Sequence, residues 1–383
     1  MIINTKDFQE AANKILLAAD LDKNAANLEL KSEGSILSLN VTNREFYVSV
    51  KFTLDAPVNF HAVVDAALFL SLVSGITTDT FNLDVDDTKI VVTSGKSKYK
   101  LPMIYDNEGL MKLPVISIQN KTVEMTFPTD VMSSILNVNS KELLKLKNVN
   151  GVVNELQKLY YIDETGCFTF TTGACVNAFT LEKPIKLLLN DRIVKLFKLF
   201  KDDAAFSFGM DPIGAGQIIT KMTLETADIY LAAIITCDDL LINKIQGPCA
   251  ATKRLIGEAY DYRLVLSANE FYNAISRLMM FTKNNKSATD KVNSYYQPVK
   301  ITLRDSSLII QDKFDNAEYV TIENESYMPE VEYNFHVNLV DIKLVLESCK
   351  NEHVNFNCGN SRSITITRGA ISNLIPEIAV NAN

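Results

Sequence analysis

Histidine is nearly missing from this sequence, which holds three in 383 residues: His61, His336 and His353. None has a Cys, His or carboxylate cluster beside it at ligand spacing, so the usual metal centres lack material. No serine–histidine–carboxylate arrangement can be assembled either, which makes an enzyme the weaker class of answer. The six cysteines (Cys167, Cys175, Cys237, Cys249, Cys349, Cys358) include no C-x-x-C pair. In their apolar surroundings they read as reduced, buried thiols, and no disulfide framework is needed. "PIGAGQ" at 212–217 has two glycines but lacks the Lys-Ser/Thr that completes a phosphate loop; it reads as a hairpin turn. No apolar run approaches the roughly 18 residues of a membrane helix, and the longest, "IYLAAIITC" from Ile229, has strand length. The opening "MIINTKDFQEAANKIL" has early polar residues and no small-residue cleavage signature, which argues against a secretory signal and for a cytoplasmic protein.

A basic excess is also missing. Lysine and arginine total 38 against 46 aspartates and glutamates, a net charge of −8. This excludes a protein coated in phosphate-binding residues. It leaves room for a local basic surface, because an acidic exterior is largely screened beyond about 10 Å at moderate salt. Where the lysines sit therefore matters more than their sum.

What is present is a globular composition, 47% hydrophobic and 22% charged, in a chain long enough for two or three domains. It repeats itself. "NFHAVVDAALFLSLV" from Asn59 and "NFHVNLVDIKLVLES" from Asn334 each run a strand into a helix, with Asp65 and Asp341 in the first turn, where the helix dipole favours negative charge. A third copy, "KPIKLLLNDRIVKLFKLF" from Lys183, keeps Asn190 and Asp191 at the helix start but lacks the histidine.

These joins belong to a longer unit that begins with another strand and helix, from Met1, Thr122 and Tyr262. Helix starters stand at Thr5, at Pro128 with Thr129, and in the capping-box pattern Ser267-x-x-Glu270. Half-buried hairpins follow around Gly34, Gly166 and Ser306-Ser307. Strand, helix and three strands, written twice per unit, predict three similar α+β domains at 1–120, 121–250 and 258–383. The second boundary falls in the aperiodic Gly, Pro and Ala stretch "IQGPCAATKRLIGEAYD", and 282–297 reads as a surface loop.

The helix after Asn190 puts Ile193, Val194, Leu196, Phe197, Leu199 and Phe200 on one side and centres Arg192, Lys195, Lys198 and Lys201 on the other. A solvated face remains the alternative for any single helix. Other helices carry Lys14, Lys23, Lys141, Lys145, Lys147, Arg277, Lys283, Lys343 and Lys350. If the repeats align their helices, these charges share a surface that can track phosphates without reading bases.

Several stretches, in order along the whole chain, carry a family likeness: "TSGKSKYKLP" at 93, "VEMTFPTDVMSSIL" at 123, "GACVNAFTLEKPI" at 173, "TKRLI" at 252, "YNFHVNLVDIKLVLESCKNEHVNFN" at 333 and "NLIPEI" at 373. The sequence resembles the bacterial DNA sliding clamp, the beta subunit of the replicative polymerase. The resemblance implies an α+β fold of three repeated clamp domains, each with two helices packed on antiparallel sheet, forming a crescent that dimerises into a ring. It implies a processivity factor without chemistry or cofactor of its own, which encircles duplex DNA independently of sequence and slides. Partners would be a polymerase and a clamp loader, held through short linear peptides, and a second copy of the chain; no membrane is involved. The setting would be a bacterial cytoplasm or a phage-infected cell.

Carried over by position, the DNA-facing residues are Lys14, Lys23, Lys141, Lys145, Arg192, Lys195, Lys198, Lys201, Arg277 and Lys283. The peptide cleft comprises Leu156, Thr171, Gly173, Val176, Leu255, Leu374, Ile375 and Pro376. The ring interface sets Lys96, Lys98 and Leu101 against Met280 and Phe281, for which a place in the domain's own core is the alternative. The pattern departs from the family where Ala174 and Cys175 replace the usual His-Arg, and where Ile375-Pro376-Glu377 replaces Met-Pro-Met. Such drift would suit a phage-encoded clamp and puts the peptide preference in question. The rival reading is a monomeric clamp-like module that competes for clamp-binding peptides.

Overall fold

The computed structural model describes residues 1–21, 26–137, 159–170, 174–214, 217–235, 239–284, 298–304, 306–324, 332–347, 349–359 and 362–378. Six copies of one module, strand–helix–three strands, account for nearly all of them. The first pair is β1 (Ile2–Asn4), α1 (Thr5–Leu21), β2 (Asn27–Glu33), β3 (Ile36–Thr42), β4 (Phe46–Thr53), then β5 (Phe60–Asp65), α2 (Ala66–Ser74), β6 (Thr80–Val85), β7 (Lys89–Ser94), β8 (Ser97–Pro102). A short hairpin, β9 (Tyr105–Asp106) and β10 (Gly109–Leu110), leads onward. The second pair is β11 (Lys121–Phe127), α3 (Thr129–Asn137), β12 (Leu159–Asp163), β13 (Gly166–Phe170), β14 (Ala174–Ala178), then β15 (Lys186–Asn190), α4 (Asp191–Lys195) with a 3-10 turn Leu196–Leu199, β16 (Ala204–Gly214), β17 (Gln217–Glu225), β18 (Ile229–Ile235). Helix α5 (Asp239–Gly257) precedes the third pair. That pair is β19 (Tyr262–Ser267), α6 (Ala268–Asn284), β20 (Pro298–Arg304), β21 (Ser307–Gln311), β22 (Ala317–Thr321), then β23 (Tyr333–Asn338), α7 (Leu339–Glu347), β24 (His353–Cys358), β25 (Ser363–Arg368), β26 (Ile371–Pro376).

Modules exchange their first strands. Within each pair, the opening strand of one half joins the three closing strands of the other, as in β1-β6-β7-β8 and β5-β2-β3-β4. The chain forms two compact units, Met1–Ser133 with Arg192–Cys237, and Ser134–Asp191 with Asp238–Asn383. The first holds β1-β6-β7-β8 and the eight-stranded β11-β16-β17-β18-β4-β3-β2-β5. The second holds the eight-stranded β15-β12-β13-β14-β26-β25-β24-β19 and β22-β21-β20-β23. Each eight-stranded sheet is two four-stranded sheets fused through third strands: β18 on β4, from Ile229↔Val50 to Ala233↔Phe46, and β14 on β26, from Ala174↔Leu374 to Asn177↔Ile371.

Helical period explains the cores. Phe8, Ala11, Ala12, Ile15 and Ala18 of α1 are buried, one stripe at i, i+3, i+4 and i+7, and Phe8 meets Phe52, Phe69 and Phe81 at centroid distances of 5.2, 6.3 and 5.5 Å. Cysteines 167, 175, 249, 349 and 358 are free and buried, while Cys237 lies outside the described residues. No described helix is long and apolar enough to cross a membrane.

Three local expectations are corrected. Asn4 rather than Thr5 caps α1, taking the Asp7 N–H on its Oδ1 at 3.1 Å. At the repeated joins the carboxylates stand where expected, at the helix start: Asp65 is the cap of α2, accepting from Leu68 N at 2.7 Å, and Asp341 lies in the first turn of α7, buried and accepting from Asn338 Nδ2 at 3.0 Å. Ser267 Oγ accepts from Glu270 N at 3.4 Å, yet the Glu270 carboxylate leaves the capping box open and accepts from Thr321 N and Oγ1, both at 3.0 Å. The aperiodic linker around Pro248 is helix: Ile242, Ile245, Cys249 and Thr252 are buried at helical spacing, and Thr252 Oγ1 donates to the Pro248 carbonyl at 2.8 Å. A proline removes one helical hydrogen bond, and here the buried stripe outweighs that loss.

In the first unit, Asp211 ties the segment before β11 to the β16–β17 hairpin. It accepts from Gln119 N at 3.1 Å, Asn120 N at 2.9 Å and Lys221 Nζ at 2.9 Å, and Lys221 also donates to the Ser117 carbonyl at 2.8 Å. The approach is so close that a Cβ at Gly209 would meet the Asn120 carbonyl at 2.2 Å, so only glycine fits. The Lys221 ammonium and the two backbone N–H groups hold the Asp211 carboxyl down to about 2. A depressed carboxyl stabilises the fold above its unfolded value, near 4, and that contribution is lost as pH falls toward about 2. Urea midpoints measured from pH 5 to pH 2 are therefore expected to fall less steeply in Asp211→Asn than in the parent, and parallel slopes would refute this.

Candidate nucleic-acid interface

The α4 segment carries out the sidedness written in its sequence. Ile193, Val194, Leu196, Phe197, Leu199 and Phe200 are all buried. The change to 3-10 geometry at Leu196 matters for the other side: with three residues per turn, Lys198 follows directly over Lys195, while Lys201 lies beyond the extended Phe200 that ends the turn. Lys198 and Lys201 are exposed and Lys195 is half-buried.

Several predicted DNA-facing cations are already paired. In the first unit Lys14 reaches Asp228 at 3.0 Å, Arg192 reaches Glu45 at 2.9 Å and Lys201 reaches Glu10 at 3.2 Å. All three pairs flank the β18–β4 junction and join residues of the first module to residues of the fourth. The Lys201 contact lowers the Glu10 carboxyl; burial raises Asp228, but Lys14 beside it turns the net shift downward. In the second unit Arg277 makes a two-pronged contact with Glu318, Nε at 2.8 Å and Nη2 at 2.7 Å. A cation held by a carboxylate attracts an anion only by exchanging partners, so these four are less available to an anion than the exposed Lys198. Lys23, Lys141 and Lys145 lie outside the described residues, and Lys283 falls in α6 with its side chain undescribed. Sequence reasoning missed the carboxylates: Glu10 shares a helix with Lys14, a readable signal, whereas Asp228 sits in a turn without pattern.

The predicted cleft gathers on the β14–β26 junction. Strand alternation places Val176, Leu374 and Pro376 on one face, with Ala174 opposite Leu374. Ile375 points the other way into the third-pair core at 2% exposure, so it does not line that face. Leu255, partly buried, is on α5, which packs against β26. Leu156, Thr171 and Gly173 lie outside the described residues.

The predicted ring interface is an open sheet edge. β8 ends its four-stranded sheet, with Lys96 and Lys98 exposed, while Leu101 is buried in its own module at 2% and offers only backbone to a partner. Met280 and Phe281 are 57% and 51% exposed, so neither is core. The other open third strand is β22, Ala317–Thr321, which the sequence reading did not single out.

The histidines have structural partners. His61 Nε2 lies 2.8 Å from Glu29, a buried carboxylate that also accepts from Asn40 Nδ2 at 2.9 Å. His353 lies 3.1 Å from Glu323. No group of three or more His, Cys, Asp or Glu able to hold a metal occurs among the described residues.

No family model and no curated protein sequence matches the chain. Solved structures do. The DNA polymerase III subunit beta from Pseudomonas aeruginosa superposes with a TM-score of 0.72 at 14% identity, covering 99% of this chain and 100% of that one. The chain has the sliding-clamp fold. The beta chain from Streptococcus pneumoniae gives 0.71 at 13% identity, and the beta subunit from Thermotoga maritima 0.70 at 12%, each covering 99% of both chains. At such identity the likeness shows the fold alone.

Replacing His61 with alanine leaves the buried Glu29 short of a partner. We expect a loss of about 1–3 kcal/mol in urea unfolding and unchanged duplex-DNA affinity in an anisotropy titration; an unchanged midpoint would remove the structural role.

Proposed function

We propose that this chain is a DNA sliding clamp: two copies close head to tail around duplex DNA, slide along it, and tether a polymerase through a peptide cleft on the β14–β26 face. It acts as a processivity factor and performs no chemistry. The three pairs of modules are its three domains, bounded near 120 and in the stretch 250–258, with α5 as the connection into the third.

The observation that carries this reading is the fate of the third strands. Of six modules, four pair their third strands, β18 with β4 and β14 with β26. The remaining two, β8 and β22, are of the same kind, and among the described residues no strand lies along the outer edge of either, although the end of β22 is engaged through Thr321 N on Glu270 and the Ile322–Leu266 bridge just beyond it. An exposed strand edge is a template for another chain, and β8 of one copy on β22 of a second repeats the junction already made twice within the chain. Lys96, Lys98 and Lys100 lie on or beside β8 and Glu318 lies on β22, where Arg277 already holds it, so charge adds less to this junction than the backbone ladder does. Two such junctions per pair of copies leave no third strand open, which is closure. An acidic body then keeps the ring from gripping DNA, while exposed lysines such as Lys198 supply weak, sequence-independent contact.

Loaded on nicked circular DNA, the protein is expected to stay bound, and to run off once the circle is linearised; equal retention on both would sink the topological claim. Light scattering is expected to give a dimer at micromolar concentration. Lys98→Glu with Lys100→Glu should weaken that dimer by roughly tenfold or more, whereas a parent protein that is monomeric supports the peptide-competing module instead.

A further inference from the structure

Helix α6 presents a stripe of uncharged polar residues, Asn269, Tyr272, Asn273 and Ser276, on the side away from its buried Phe271, Ala274, Ile275 and Leu278. The carboxylate nearest that stripe, Glu270, is turned to Thr321. Helix α7 packs beside α6 and contributes Lys343, with Lys350 just past its end. The Lys350 ammonium stands 3.7 Å from the Tyr272 ring centroid and that of Lys343 stands 5.3 Å from it. Two cations therefore converge on one ring, held by its electron-rich face. Neither makes an ion pair with a carboxylate among the described residues.

This differs from the arrangement at Lys14, Arg192, Lys201 and Arg277. A carboxylate partner fixes a cation and cancels its charge; an aromatic face fixes it and leaves the charge in place. Lys343 and Lys350 are both half-buried along their stems, so their ammonium groups are positioned rather than swinging. Burial raises the Tyr272 phenol, but the two ammonium groups, with a hydrogen bond from Ser276, bring it below the ordinary tyrosine value. The side-chain amides of Asn269 and Asn273 are exposed on the same stripe and can donate to an oxyanion.

We propose that Tyr272, Lys343 and Lys350 form a seat for the backbone phosphates of duplex DNA, the point in the third pair of modules where the nucleic acid is held most firmly. The proposal rests on the clamp reading and adds to it a fixed station on α6 and α7, distinct from cations already paired, such as Lys14 and Arg192, and from the exposed Lys198. The seat takes phosphate by charge and hydrogen bonding and reads no base, so it slows sliding without creating sequence preference.

The test is a fluorescence-anisotropy titration of full-length protein with a labelled duplex across a series of salt concentrations. Lys343→Gln with Lys350→Gln is expected to weaken binding roughly tenfold or more at low salt and to flatten the slope of log affinity against log salt by about 2, one for each lost contact. Lys343→Arg with Lys350→Arg keeps the charge and should bind like the parent, as should Tyr272→Phe. Tyr272→Leu, which removes the platform, should lose part of the affinity. A control pair elsewhere, Lys51→Gln with Lys112→Gln, removes equal charge and should leave the slope unchanged. If the 343/350 glutamine variant matches this control while melting like the parent, the seat is wrong and the clamp reading stands. If the parent protein shows no salt-dependent duplex binding, both fall. Millimolar inorganic phosphate at constant ionic strength should not displace the duplex; displacement would mean a discrete anion site and overturn the backbone assignment.

Discussion

A strand at the edge of a sheet carries a row of unsatisfied N–H and C=O groups, and the architecture here is a repeated answer to that constraint. Each module ends in a third strand whose outer edge nothing in its own module covers. Two junctions within the chain dispose of four such edges, and the eight-stranded sheets exist because of them. Exchange of opening strands has the same logic at the other side of each sheet: the first strand of one half covers the closing strands of the other. Helices then have one task left, to bury the face of the sheet, and they do so with stripes such as Phe8, Ala11, Ile15 and Ala18.

Electrostatics is laid over this frame rather than supporting it. Exposed ion pairs contribute little to stability, with a median of about 0–1 kcal/mol, so Lys14–Asp228 and Lys201–Glu10 do not hold the β18–β4 junction together; its backbone ladder and the Tyr47–Tyr230 edge contact at 6.1 Å do. What the pairs do is remove attraction for phosphate from the helices that carry them. A body with net charge −8 and several of its described helix cations neutralised is suited to weak contact with a polyanion.

The repeated fold was legible because its signals are periodic. Alternation marked the hairpins at Gly34 and Gly166, and the 3.6-residue stripes marked α1, α3 and α6, where packing depends on spacing alone. That Val176 and Leu374 share a face followed from strand alternation, but Ile375 points the other way, because a run of apolar residues hides which way a strand alternates. The α5 helix was obscured by Gly247 and Pro248, whose local preference is overridden by burial of Ile245 and Cys249. Charged side chains were the least legible. A lysine column can be counted from sequence, but its carboxylates come from elements far along the chain, 214 positions away for Lys14 and Asp228. The β22 edge was missed for a related reason: an open strand and a paired one are written alike.

The junction of β14 with β26 has a consequence in time. Ala174 lies opposite Leu374, 200 positions later by subtraction. During synthesis the central sheet of the second unit must wait with an unpaired edge while that whole length emerges, and contacts of such long separation form slowly. A chain cut short before β26 keeps this edge bare, primed to pair with the wrong neighbour. Completion of β26 is thus the moment at which this edge is covered, leaving the β8 and β22 edges.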